Sequence, residues 1–272
     1  MNGLKITGLA ATIASIVFAG YALAADGKKE PIKPAAKDHP LDEIWSGYHF
    51  TTKETKAMQD DDFANPGMTW FDIGETNWSK KDGEAGKSCA SCHKPSDMKG
   101  VAARYPIYDD KLKKLVNIEE RINNCRKVNM KAKPWKYDSN DMLGMAIFVN
   151  AQSRGMTRNV KVDGPAAEHF KKGKEFYYQR RGQLDMSCAH CHEKYYGQKI
   201  RMNVLTQGQS NGFPVYRLKW QKPGSLHRRF KGCNKQVRAK PFKTGSPEYL
   251  ALELYLAWRG NGLTIETPAV RN

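Results

Sequence analysis

Acidic residues are in short supply in this 272-residue chain: 28 Asp and Glu stand against 45 Lys and Arg, a formal charge of +17. Such an excess attracts anions or an acidic partner protein, although a solvated basic surface gives the same composition. Long apolar runs are scarcer still. The only one spans residues 6–23 and is interrupted by Gly8 and Gly20, so a chain that crosses a bilayer repeatedly is excluded. This run follows Lys5 and ends in Ala22-Leu23-Ala24, the small-x-small pattern of a cleaved leader. Residues 1–24 therefore read as a signal peptide cut before Ala25, with an uncleaved anchor as the lesser alternative. Cysteine is sparse, with six residues. That usage, together with the export signal, points away from nucleic acid and towards an oxidising compartment, the bacterial periplasm.

Four of the six cysteines fall in one pentapeptide written twice: Cys89-Ala90-Ser91-Cys92-His93 and Cys188-Ala189-His190-Cys191-His192. C-x-x-C-H is the attachment site of c-type haem. The two thiols add to the vinyl groups, and the histidine that follows is held beneath the ring as an iron ligand. A zinc knuckle or a thiol redox pair explains one such motif, but poorly explains two on an exported chain. Two covalent c-type haems are therefore expected, on Cys89 and Cys92 and on Cys188 and Cys191, with His93 and His192 on the irons.

The motif belongs to a larger repeat. Gly74, Trp78, Gly83 and Cys89 correspond at one constant offset to Gly173, Tyr177, Gly182 and Cys188. Downstream, the Arg-x-x-x-Cys of Arg121 and Cys125 matches that of Arg229 and Cys233. Lys131-Ala132-Lys133-Pro134-Trp135-Lys136 then matches Arg238-Ala239-Lys240-Pro241-Phe242-Lys243. Each half closes with an apolar stretch, 141–149 and 247–258, behind a helix-start signal at Ser139 and Ser246. The reading is a mainly α fold of two tandem cytochrome c domains with long irregular loops. In each, an opening helix (72–78 and 166–178) leads to the haem peptide and a closing helix packs over the haem. The division is a flexible lead-in at 25–47, rich in Lys, Pro and Ala, then an N-terminal domain at 48–157 and a C-terminal domain at 158–272.

The far-side iron ligand is open at this point. Met98, Met130, Met142 and Met202 are candidates, but the repeat does not pair them. It pairs Cys125 with Cys233. These two form a disulfide, stay as buried thiols, or ligate the irons as thiolates. Equivalent positions that each face their own haem are poorly placed for a disulfide, which needs Cα atoms within about 7 Å. A thiolate ligand favours ferric iron and lowers its potential.

Taken together, the haem peptides, the two Arg-x-x-x-Cys sites and the stretch Met58-Gln59-Asp60-Asp61-Asp62-Phe63-Ala64-Asn65-Pro66-Gly67-Met68-Thr69-Trp70 resemble the SoxA family. This family comprises the cytochrome subunits of the SoxAX complex of bacterial thiosulfate oxidation. The resemblance runs from about Tyr48 to the C-terminus, and the first haem peptide places the chain with the dihaem members. It implies His/Cys ligation at both irons (His93 with Cys125, His192 with Cys233), a persulfide intermediate on Cys233, and thiosulfate binding at Arg229. It also implies a heterodimer with a SoxX-like small cytochrome, a SoxYZ-like carrier whose cysteine receives thiosulfate, and a cytochrome c electron acceptor. The local residues suit that chemistry. Arg229 offers forked donors to a sulfonate, with Arg228, Lys231 and His227 adding positive charge and Gly232 permitting close approach. A haem propionate is the competing partner for Arg229, and Arg121 is expected to have that structural role. Two further functions stay in view: a dihaem thiosulfate dehydrogenase making tetrathionate, and a plain electron-transfer cytochrome.

Overall fold

The computed structural model describes residues 32–272. The leader expected at 1–24 lies outside the described residues, as does the start of the lead-in. Part of the lead-in is ordered. Strand β1 (Ile32–Pro34) pairs antiparallel with β2 (Glu43–Trp45). Ile44 is 1% exposed, and Gln207 accepts the Trp45 N–H at 2.7 Å and donates to the Glu43 carbonyl at 3.1 Å, so buried apolar and long-range polar contacts together order a segment whose composition reads as unstructured.

The first half continues through α1 (Lys53–Asp60) and α2 (Met68–Ser79) to the first haem peptide. Beyond it come α3 (Val101–Arg104), the hairpin of β3 (Ile107–Asp109) and β4 (Lys114–Val116), α4 (Ile118–Cys125) and α5 (Asn140–Ala151). The second half opens with α6 (Ala167–Tyr178), which leads to the second haem peptide. Small hairpins follow: β5 (Lys199–Ile200) with β6 (Asn203–Val204), then β7 (Val215–Arg217) with β8 (Lys222–Gly224). Helices α7 (Leu226–Gln236) and α8 (Pro247–Arg259) come next, and β9 (Ala269–Arg271) returns to lie parallel to β7. The mainly α architecture with irregular loops is as expected.

The closing helices begin where their caps predict. Ser139 Oγ accepts from the Met142 N–H at 3.3 Å, and Ser246 Oγ from the Tyr249 N–H at 3.4 Å, each satisfying a donor that the first helical turn leaves free. From Met142 to Ala151 every residue of α5 is buried, which is why that stretch shows no amphipathic stripe.

The repeated glycines mark where backbones touch. A Cβ on Gly74 would lie 2.2 Å from the Gly144 carbonyl oxygen, and one on Gly173 would lie 2.0 Å from that of Ala251. Opening and closing helices therefore cross in direct contact in both halves. The next pair, Gly83 and Gly182, sits at φ of +69° and +70°, pressed against the carbonyls of Met130 and Val237. The halves differ by one residue between the paired cysteines, Cys125 and Cys233, and the Ala-Lys-Pro stretch. The cause is local: after Cys125 the chain makes a π-helical turn, Arg126–Met130, which takes up the extra residue.

The stretch at 58–70 has a structural task. Gln59, fully buried, accepts from the Val270 N–H at 3.0 Å. Asn65 Nδ2 donates to the Pro268 carbonyl at 2.9 Å. The segment thereby ties α1 to β9, which is itself bound to β7, so the two halves are laced together at the C-terminal strand.

A polar cluster fills the seam between the halves. His227 is 1% exposed, its Nε2 lies 3.0 Å from the Glu253 carboxylate, and its Nδ1 accepts the Gly245 N–H at 3.0 Å. Tyr137 from the first half stacks on its ring at 5.4 Å and 5°. Asn117 Nδ2 donates to the same Glu253 carboxylate at 2.9 Å. Glu119 and Arg158 line a small cavity beside Glu253. Burial, reinforced by Glu253, pushes Glu119 up to about 7. Burial opposes the charged form of His227, but Glu253 outweighs it and the net shift is upward.

Two predictions follow from this packing. Gly173→Ala drives a methyl into the Ala251 carbonyl and should cost about 3 kcal/mol in urea unfolding of the haem-loaded protein. The seam gives a pH dependence. The folded chain holds the Glu119 proton up to about pH 7, whereas the unfolded chain releases it near 4.5, so stability falls as pH rises through that window and stays lower above it. Glu119→Gln should lose less stability than the parent between pH 5 and 8. Parallel losses would show that Glu119 is not the group responsible.

Candidate functional site

In the second half, α6 delivers the chain to Cys188, and His192 lies in a π-helical turn, His190–Lys194. The His192 Nδ1–H donates to the Thr206 carbonyl at 2.7 Å. A carbonyl only accepts, so Nδ1 carries the proton and the Nε2 lone pair is free for a metal. Gly208, at φ +75°, passes under the ring, and a Cβ there would lie 3.0 Å from His192 Cγ. The imidazole is thus fixed in both tautomer and plane.

Helix α7 presents Cys233 to that histidine. Its N-cap Ser225 accepts the Arg228 N–H at 3.1 Å, and the buried stripe His227, Phe230 and Asn234 anchors the helix on the core. Arg229 and Cys233, four residues apart, share a different face. The Cys233 thiol is half-buried and lies beside His192. Burial raises its pKa, but Arg229, His192 and Arg217 together overcome this and bring it down to about 7. Cys188 lies close enough to Cys233 that burial and this neighbour push its own thiol up to about 12.

The first half shows the same grouping. Burial, then Cys125, raises the Cys89 thiol, and Cys92 is also nearby. The His93 ring is exposed and lies 6.5 Å from the Trp78 ring. No cysteine is bonded to another, so the disulfide alternative for Cys125 and Cys233 is not realised. Each sits with the haem peptide of its own half instead.

This arrangement fits a haem in each half. Two vinyl-reactive thiols, an imidazole and a third sulfur converge, and the ring-side positions Trp78 and Tyr177 hold a buried indole N–H and phenol O–H with no protein acceptor. The methionine candidates are elsewhere. Met142 is fully buried in α5, Met130 is 4% exposed, Met98 packs on the first core and Met202 is 90% exposed.

The two arginines of the repeat diverge. Arg121 is committed to protein: Nε donates to the Tyr105 hydroxyl at 3.0 Å, and the guanidinium pairs with Asp109. The Arg229 guanidinium has no hydrogen-bonded acceptor among the described residues, and it faces Cys233. One expectation requires correction: His227 is buried in the seam and turned to Glu253, so it adds no charge beside Cys233. A Cβ on Gly232 would meet no protein atom within 4 Å, so the space beside it is open. His190 accepts the Ser187 N–H at 3.1 Å, the task Ser91 performs for Ser88 at 3.0 Å. Sequence reasoning also missed Arg217, which stands on a strand well before Cys233 and belongs to no motif.

Residues 73–157 match the family described as SoxA/TsdA, cytochrome c domain. The L-cysteine S-thiosulfotransferase subunit SoxA of Rhodovulum sulfidophilum is 47% identical over 241 residues, 88% of this chain and 84% of that protein. That of Paracoccus pantotrophus is 43% identical over 280 residues, 97% of each. A crystal structure of SoxXA from P. pantotrophus superposes with a TM-score of 0.83 at 46% identity, covering 85% of this chain and 88% of that one. At such identities over nearly the whole chain, the protein belongs to the SoxA family, the c-type cytochrome subunits of L-cysteine S-thiosulfotransferase.

Proposed function

We propose that this chain is an exported, dihaem SoxA that works in the periplasm with a SoxX-like small cytochrome and joins thiosulfate to a cysteine of a SoxYZ-like carrier. The observation that carries the reading is the unpaired Arg229 guanidinium facing the Cys233 sulfur, opposite an oriented His192. In this scheme residues 48–157 and 158–272 are the two haem units, and the second contains the reactive site. Cys89, Cys92, Cys188 and Cys191 tether the haems, with His93 and Cys125 on the first iron and His192 and Cys233 on the second. Among the described residues no helix is long and apolar enough to cross a membrane.

Bound haem supplies an iron that takes one electron at a time beside the reacting sulfur. The protein's own groups do the rest. Arg229 receives the sulfonate oxygens through its planar fork and points the sulfane sulfur at Cys233. Cys233 supplies a polarisable sulfur that holds the substrate covalently: its sulfur bonds to the sulfane sulfur of intact thiosulfate as two electrons leave, and the carrier thiolate then takes that sulfur with its sulfonate while Cys233 departs as thiolate. Overall, one S–S bond forms between the sulfane sulfur and the carrier cysteine. The thiol proton leaves to solvent, and two electrons pass to a cytochrome c acceptor. The basic surface steers the acidic reactants inward.

The direct test is the intact mass of the carrier after incubation with thiosulfate, oxidised cytochrome c, this chain and its small cytochrome. A gain of one thiosulfate is expected. An unmodified carrier with tetrathionate in solution would make the protein a dehydrogenase. Cys233→Met should keep both haems by mass and raise the potential of the second, yet abolish conjugation, and retained turnover would remove Cys233 from the reaction. Arg229→Ala should lower kcat/KM for thiosulfate about 10- to 100-fold, the worth of a charge-assisted hydrogen bond. Unchanged saturation behaviour would assign Arg229 to a haem propionate instead.

A further inference from the structure

The loop that orients His192 is itself held from the opposite end of the chain. Thr206 accepts the His192 Nδ1–H at 2.7 Å, and Gly208 lies against the ring. Between them stands Gln207, which is 0% exposed. Its Oε1 accepts the Trp45 N–H at 2.7 Å, and its Nε2 donates to the Glu43 carbonyl at 3.1 Å. One buried amide thereby satisfies a donor and an acceptor on β2 and has its own polar atoms satisfied in return. Thr206 Oγ1 accepts the Gly208 N–H at 3.0 Å, which tightens the loop on itself. Among the described residues, 206–208 make no other hydrogen bonds to the rest of the chain than those to His192 and β2.

Strand β2 is a firm anchor. Ile44 is buried, and Ser46, just beyond the strand, bonds to Glu266 and accepts from Asn211 Nδ2 at 3.3 Å. The Trp45 ring meets Tyr196 edge-on at 5.7 Å, four residues past His192. The strand therefore grips the chain on both sides of the turn between the haem peptide and Gln207. In the first half the corresponding ring is not held this way: His93 is exposed and has no hydrogen-bonded partner among the described residues. The constraint belongs to the half that carries Cys233. An imidazole that donates from Nδ1 to a carbonyl becomes a stronger metal ligand, and the strength of that bond depends on where the carbonyl is held.

We infer that Gln207 is a positioning residue for the second haem's histidine: by locking the 206–208 loop to β2, it fixes the Thr206 carbonyl against His192 and so sets the donor strength of the imidazole. The inference rests on the proposed ligation of the second haem and deepens it, because it makes the lead-in part of the machinery that tunes that iron. A firmly held carbonyl strengthens the imidazole, favours ferric iron and lowers the potential. Releasing the loop lets the carbonyl move away, and the potential rises. The first haem, whose histidine lacks this support, is left unaffected.

The experiment is a redox titration of both haems of the loaded chain, with electron paramagnetic resonance of the ferric state, in Gln207→Met and Ile44→Ala. Gln207→Met keeps the length and apolar volume of the side chain but loses both bonds to β2. The second haem should become easier to reduce, its reduction equilibrium moving about 3- to 10-fold, and its ferric resonance should change, while the first haem keeps both values. With the small cytochrome and the carrier present, kcat for conjugation should fall about threefold or more and the KM for thiosulfate should stay within about twofold of the parent. Ile44→Ala loosens β2 without touching the amide and should give the same signature at the second haem. It also decides the matter if Gln207→Met fails to load haem. A lower Tm with both haems unchanged would make Gln207 only a structural tie. Equal changes at the two haems would mean a general loosening of the fold. Either result overturns the inference. The titration needs no substrate, so a parent protein that forms no conjugate would overturn the reaction and leave the potentials to decide the role of Gln207.

Discussion

Two helix crossings without intervening side chains set the geometry of this protein. At Gly74 with Gly144, and at Gly173 with Ala251, backbone meets backbone. The direction in which each opening helix releases the chain into its haem peptide follows from that contact. A side chain at either glycine would separate the helices by more than an ångström, and the sulfur, imidazole and ring-side groups that converge downstream would no longer do so. The closing helices are apolar on nearly all sides for the same reason, since they lie between the opening helix and the opposite half.

On this shared frame the two halves have become chemically unequal. Arg121 is spent on Asp109 and the Tyr105 hydroxyl. The corresponding Arg229 has no hydrogen-bonded acceptor among the described residues, and its charge helps to lower the Cys233 pKa. The same Arg-x-x-x-Cys is therefore committed to a carboxylate in the first half and to none among the described residues of the second. The longer loop of the second half supplies the strand that carries Arg217.

The seam between the halves adds a constraint of another kind. His227, on the helix that presents Cys233, is clamped by Glu253, the Gly245 amide and the Tyr137 ring. That helix is therefore oriented partly by the first half. That gives the first half a positioning task, whatever its haem contributes. The lacing of α1 to β9 through Gln59 and Asn65 works towards the same end.

The haem peptides, the repeat, the capped helices and the pairing of Cys125 with Cys233 were all legible in the sequence. Each is a local pattern, and local patterns reflect chemistry that acts over a few residues: thioether spacing, helix caps, glycine at positive φ. The sequence reading set His227 beside Cys233, although helical periodicity separates His227, Phe230 and Asn234, the buried stripe, from the face of Arg229 and Cys233. Other features were decided by tertiary structure. Which arginine keeps a carboxylate, which strand delivers Arg217, and that Ile44 and Gln207 order the lead-in all depend on contacts between residues far apart in the chain. No spacing rule encodes such contacts, because the partner's distance is set by how helices and strands pack and not by their order.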